Sequence, residues 1–303
     1  MNKRKMKKDI KLEPIIFNTV NAIIMIFICV IMIYPFWNTI AVSFNDAQDS
    51  VRGGITLWPR KFSTYSYEMI FKNDLLLTAA INSVLRTVIA TVLGVFTSSL
   101  IGFVLSREEF VWKKFASIFF LVTMYVSAGL IPSYFLIKDL HLLNSFWVYI
   151  FPGLISVFNV IIVKSYIMSL PISLSEAAMV DGAGYFTTYI RIILPCCKPV
   201  LATVALWCAV GAWNSWFDTF IYNSSSEKLT TLQYEMMKLL SSAMNSGAKR
   251  DLNAVFGAAA TDMVTPTSMR AAVTIVASVP ILIVYPFMQK YFVKGIMIGS
   301  VKG

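Results

Sequence analysis

The sequence predicts an all-α, polytopic membrane protein with six transmembrane helices and both termini on the cytoplasmic side. Three observations predict it. Hydrophobic residues make up 57% of the 303-residue chain and charged residues 14%, with a mean hydropathy of +0.69. Six apolar runs, each bounded by charge or proline, reach the ~20 residues that a bilayer core of ~30 Å requires. Lys and Arg are distributed unevenly between the two sets of connecting segments, which orients the bundle.

The elements follow in order. Residues 1–14 form a basic arm carrying Lys3, Arg4, Lys5, Lys7, Lys8 and Lys11. A basic arm before an apolar run is also how a signal peptide begins, but the run at 15–42 exceeds the usual ~7–15 residue apolar region, so it reads as span one. An outer loop, 43–74, leads to span two at 75–105, and Arg107, Lys113 and Lys114 mark the next segment as inner. Spans three (115–137) and four (145–170) contain Pro132 and Pro152, which should kink them. The inner segment 171–198 precedes span five (199–222), and a long outer loop, 223–270, precedes span six (271–293). The six-span domain is thus 15–293, followed by a tail, 294–303. Within the second outer loop, Leu229, Leu232, Met236 and Leu240 fall near one helical face, which suits a helix resting on the bundle or the headgroups, or contacting a partner.

With the N-terminus inside, the inner segments hold fourteen Lys/Arg against six acids, and the outer loops nine against nine. The net charge of +10 is therefore mostly orientation against anionic lipid. A nucleic-acid partner is excluded because no polar domain remains to carry a phosphate-binding face. Cys29, Cys196, Cys197 and Cys208 form no CxxC pair and read as buried small hydrophobes, and with His141 the sole histidine no metal site is expected. No phosphate-cradling GxxxxGK[ST] occurs, so this chain should hold no ATP, and no catalytic motif appears. A stand-alone secondary carrier needs ionisable groups near the membrane middle. Arg86 lies about a turn inside the outer end of span two, where it would snorkel; Lys164 and Asp218 lie near span ends. Ion coupling has no seat there.

The inner segment 171–198 carries the most specific signal. Ser173 followed by Glu176 is a capping-box pattern that should start a helix. Leu174, Ala178, Phe186, Tyr189 and Ile193 fall near one stripe, Gly182 and Gly184 permit a bend between two half-helices, and Pro195 and Pro199 should end the second. This is a bent amphipathic docking element. Its fixed positions, Glu176-Ala177-Ala178, then Gly182, Ile192, Leu194 and Pro195, resemble the EAA motif of the permeases of type I ABC importers. Asp181-Gly182-Ala183, Lys198-Pro199 and the ending from Gln289 to Gly303 resemble the carbohydrate branch of that family. Cys196-Cys197 departs from the pattern without suggesting chemistry.

The resemblance implies a type I ABC importer permease fold and a subunit that works with a homologous permease, two ATPase subunits that bind ATP and Mg, and an extracytoplasmic solute-binding protein. It implies that Glu176, Ala177, Ala178, Asp181, Gly182 and Gly184 couple to the ATPase, and that the tail, through Gly295, Gly299 and Gly303, reaches between the ATPase subunits. The solute would be a carbohydrate, with a peptide, phosphate or polyamine as the alternative within the class. Span five holds Trp213, Asn214, Trp216 and Asp218, where aromatic faces and polar groups suit a sugar path and equally suit an outer aromatic belt. On an unbroken helix, Trp213 and Trp216 would share one face, and Asn214 and Asp218 another.

Overall fold

The computed structural model describes residues 12–244 and 265–299, and among them every regular element is helical apart from one antiparallel bridge between Asn45 and Phe62. Helix α1 (Leu12–Ser43) packs along the last helix and leaves its apolar residues exposed, as a lipid-facing span requires. The loop after it is ordered by buried polar groups around the short helix α2 (Ala47–Val51). Asn45 Nδ2 donates to Asp49 Oδ2 (3.1 Å) and Ser50 Oγ (2.9 Å), and Arg60 Nε donates to Asp49 Oδ2 at 3.0 Å. The Asn45 amide and the Arg60 guanidinium hold the Asp49 carboxyl below the usual carboxylate range. After α3 (Tyr65–Lys72), the 33-residue α4 (Asp74–Ser106) begins with Asn73 Oδ1 accepting from the Leu76 N–H at 3.0 Å.

Spans three and four depart from simple kinked helices. Helices α5 (Lys113–Tyr125) and α6 (Leu130–Asp139) meet at 117°, and the break is at 126–129 rather than at Pro132. Gly129 adopts φ +84°, outside the range of ordinary L residues, while Pro132 sits in the first turn of α6, where its missing N–H is not needed. Span four starts as 3-10 turns at Phe146–Tyr149 and Phe151–Gly153, the latter containing Pro152, and continues after a 49° bend as α7 (Val157–Met168). Gly102 lets α7 approach α4: a Cβ there would lie 3.1 Å from the Lys164 backbone nitrogen.

The chain continues through α8 (Ser173–Val180), α9 (Tyr185–Cys196), α10 (Lys198–Asn214), α11 (Phe217–Tyr222), α12 (Leu232–Met244) and α13 (Pro266–Gly299). Among the described residues three helices are long and apolar enough to cross a membrane, and counting each bent pair as one span gives six. Among the described side chains of α12 the buried apolar positions are Leu232 and Leu239, with Met236 beside them, not Leu240; Glu235 is buried too. The helix begins at Leu232, Leu229 belongs to a separate turn (Glu227–Leu229), and the 3.6-residue period then selects 232, 236 and 239. This face packs on Met269, Ala272 and Val273 of α13. Helix α13 runs through the expected tail boundary at 293, so Gly295 and Gly299 are helical; Gly303, residues 1–11 of the basic arm and 245–264 of the second loop lie outside the described residues. Of the four cysteines, Cys197 is buried and Cys208 half-buried, but Cys29 and Cys196 are exposed, contrary to the expectation of burial.

Candidate functional site

The 171–198 segment folds as a hairpin on the C-terminal end of α4, and its start differs from the expected capping box. Ile172 is already helical (φ −61°, ψ −29°), and its carbonyl accepts the N–H of Ser175 (2.9 Å) and Glu176 (3.2 Å). Ser173 is therefore the first helical residue rather than the cap, and no side chain caps the helix. The end of α8 is a Schellman closure: the Ala183 N–H donates to the Ala178 carbonyl (2.9 Å) and the Gly182 N–H to the Met179 carbonyl (3.0 Å). This closure places Gly182 at φ +81°. Gly184 has extended backbone that any residue adopts, so only one of the two glycines makes the bend.

Neither proline ends the second limb as expected. Helix α9 runs through Pro195 because a π turn at Tyr189–Ile193 widens the backbone just before it, and Pro199 lies in the first turn of α10 after an 82° turn at Cys197. Of the predicted stripe, Ala178, Tyr189 and Ile193 are buried, whereas Leu174 and Phe186 are exposed. Among the coupling candidates Ala178 faces the bundle, and Glu176, Ala177, Asp181, Gly182 and Gly184 are exposed. They are joined at the surface by Ile172, Val180, Tyr185 and Phe186, between 53% and 88% exposed. The hairpin thus presents exposed apolar side chains among exposed polar and charged ones.

Sequence reasoning missed the residues that hold the hairpin. Ser99 Oγ and Tyr189 Oη are 2.6 Å apart in the core, the Phe103 and Tyr189 rings are 5.1 Å apart, and Arg107 Nη2 donates to Ser175 Oγ at 3.1 Å. The 99, 103, 107 spacing was a readable signal, since four-residue steps form one helical stripe. Read alone, Arg107 looked like a charge marking the end of a span.

Span five is broken, which corrects the shared faces expected for its cluster. Helix α10 stops at Asn214, Ser215 is extended (ψ 127°), and α11 restarts at Phe217. Trp213 is buried and its Nε1–H donates to the Ala277 carbonyl at 2.8 Å, three residues before Pro280 in α13. Asn214 is exposed, and Trp216, half-buried, packs on Phe217 and Phe220. Asp218 receives Arg86 Nη2 at 2.7 Å and Nη1 at 3.3 Å, while Nη1 also donates to the Ser215 carbonyl at 3.2 Å. Arg86 is 2% exposed, with its guanidinium 4.6 Å from the Tyr149 ring, and so does not snorkel. The backbone break supplies an acceptor and the carboxylate neutralises the charge, which is what a buried arginine requires. The four candidates of the solute path are thus not one surface: Trp213 and Asp218 serve the packing, and Asn214 and Trp216 remain outward. Lys164 Nζ lies 3.3 Å from Ser117 Oγ on α5.

Known proteins share this architecture. A bacterial ABC transporter involved in import of the acidic polysaccharide alginate has a chain that superposes with a TM-score of 0.81 at 24% identity, covering 95% of this chain and 100% of that one, which shows the fold. The polygalacturonan/rhamnogalacturonan transport system permease protein YtcP of Bacillus subtilis is 35% identical over 273 residues, 90% of this chain and 93% of that protein. The maltodextrin transport system permease protein MalD of Streptococcus pneumoniae is 27% identical over 302 residues, 98% of this chain and all of that protein. Residues 77–298 match the model of binding-protein-dependent transport system inner membrane components. With most of its length matched, and with helices that account for six spans, this chain belongs to that family of membrane permeases.

Proposed function

We propose that the chain is one of two homologous permease subunits of a carbohydrate importer, with two separate ATPase subunits docked on the 171–198 hairpin and an extracytoplasmic solute-binding protein delivering an oligosaccharide at the opposite face. The observation that carries this reading is the exposed cap of the hairpin, where Glu176, Ala177, Asp181 and Gly182 sit among exposed Ile172, Val180, Tyr185 and Phe186. ATP and Mg are held by the partner ATPases. Closure of those subunits moves the docked hairpin, and the bundle converts the movement into alternating access. Both termini are cytoplasmic, and the tail segment, with Gly295 and Gly299 in α13 and Gly303 outside the described residues, contacts the ATPases. The sugar polymers for which the relatives are named support an oligosaccharide as solute.

The test is co-purification from the native membrane: an ATPase, a second permease and a solute-binding protein are expected with this chain, and a lone chain showing ion-driven uptake would overturn the reading. Orientation has its own check. After replacement of the native cysteines, a cysteine at Gly184 should resist a membrane-impermeant thiol reagent in intact cells while one at Ser225 reacts; both positions are exposed in the fold. The reverse pattern would place the hairpin outside and remove its role.

Asn214 and Trp216 are the positions for solute contact on span five. Trp216→Ala should raise the solute concentration for half-maximal uptake about fivefold, because a stacked ring contributes about 1 kcal/mol. Asn214→Ala should act in the same direction, with assembly intact in both. Unchanged uptake kinetics in both variants would make the region an interfacial belt and move solute contacts to the partner permease.

A further inference from the structure

We propose that α4 carries motion from the 171–198 hairpin to the opposite end of the bundle, and that Arg107 is the positioning residue at its hairpin end. The proposal rests on the reading of that hairpin as the docking element for an ATPase.

Helix α4 has 33 residues, a rod of about 50 Å at about 1.5 Å per residue. Its C-terminal stripe grips both limbs of the hairpin. Arg107 holds α8 through Ser175, which is 4% exposed, and Ser99 with Phe103 holds α9 through Tyr189, which is 1% exposed. The Arg107 guanidinium lies over the Phe103 ring at 4.3 Å, so the two grips are joined. Beside this contact is a cavity of about 280 Å³ lined by Phe103, Val104, Arg107, Glu109, Phe110 and Tyr185. No residue of α8 lines it, and the Arg107–Ser175 hydrogen bond is the polar contact by which α4 holds α8.

The same rod grips the 215–232 stretch at its other end. Asn82 Nδ2 donates to the carbonyls of Lys228 (2.8 Å) and Thr230 (2.9 Å), Ser83 Oγ accepts the Leu232 N–H at 2.9 Å, and Arg86 holds Ser215 and Asp218. An unbroken rigid element held at both ends is one physical carrier of such coupling. Helix α4 is continuous from Asp74 to Ser106, whereas α5 and α6 meet at 117°, and α9 and α10 turn by 82° before α10 stops at Asn214. Among the described residues, α4 is a continuous helix that holds both the hairpin and the opposite segment.

The experiment uses the purified assembly with its ATPase, in a background free of native cysteines, with a cysteine at Val180 or at Ser225. Maleimide labelling rates are measured with and without ATP and vanadate. Trapping should slow labelling at Val180 in the presence or absence of Arg107→Ala, whereas the trapping-dependent change at Ser225 should shrink about fivefold in that variant, within the usual range of coupling between sites. Arg107→Lys, which keeps a cationic donor, should recover most of it. Ser175→Ala removes only the acceptor hydroxyl and should shrink the Ser225 response in the same direction, even if Arg107→Ala fails to assemble. A full Ser225 response in both Arg107→Ala and Ser175→Ala overturns the proposal. Equal loss of the Val180 and Ser225 responses in both variants also overturns it, because the contact then serves hairpin stability alone. A Val180 that does not respond to trapping in the otherwise unaltered protein instead overturns the docking reading.

Discussion

Replacing Arg86 by alanine should strip the assembled permease from the membrane almost entirely. Arg86 and Asp218 form a bidentate pair with side-chain exposures of 3% and 22%. Removing the cation leaves the Ser215 carbonyl without its donor and the Asp218 carboxylate with only the Thr219 N–H, at 2.9 Å, at a broken helix end. Unpairing a buried ion pair costs about 3–5 kcal/mol, a large share of the stability of any fold. Asp218→Ala should be similarly damaging because it strands the guanidinium, whose Nε already has no partner. Replacing both residues, as Arg86→Met with Asp218→Leu, should recover a substantial part of the assembled protein, since no charge is left buried and only the neutral Ser215 carbonyl and Thr219 N–H lose a partner. The measurement is the yield and thermal midpoint of the detergent-extracted complex. A double variant as poor as either single one would show that the hydrogen bond to Ser215, not charge pairing, dominates.

Gly182 should be nearly as sensitive, by a different route that leaves the spans inserted. Its φ of +81° closes α8, and an L side chain in that region costs about 1–2 kcal/mol, more for a β-branched residue. A Cβ at Gly182 would meet nothing within 4 Å in this chain. Gly182→Val therefore tests the backbone, and Gly182→Asp, which tolerates positive φ better, tests the space outside it. Both should reduce transport and solute-stimulated ATP hydrolysis in the reconstituted complex by about tenfold or more, the first by deforming the Schellman closure and the second by placing volume and charge where the ATPase approaches. Loss in the valine variant alone would mean that Gly182 shapes the hairpin without lying in the interface. Normal activity in both would remove it from coupling altogether.

The sequence by itself determined the membrane class, the apolar segments and the location of the hairpin, because these depend on composition and short-range spacing. A run of 20 apolar residues needs no partner to be recognised, and Glu176-Ala177-Ala178 with Gly182 is a local pattern. Even Gly182 was legible as a bend, since only local backbone geometry is involved. Only the tertiary structure decided how the spans break and which polar groups meet. Because the apolar run continues on both sides, Gly211, Asn214 and the Ser215-to-Asp218 spacing permit a break at Ser215 without requiring one. The acceptor it releases is stabilised by Arg86, 129 positions away, and in a medium without water a helix can open only where a distant donor waits. The capping box failed for a local reason that spacing cannot convey, because Ile172 turned helical one residue earlier. Arg107 read as a boundary charge until folding placed Ser175, 68 positions on, beneath its guanidinium. A buried hydrogen bond is specified by two residues jointly, and neither, read alone along the chain, carries the position of the other.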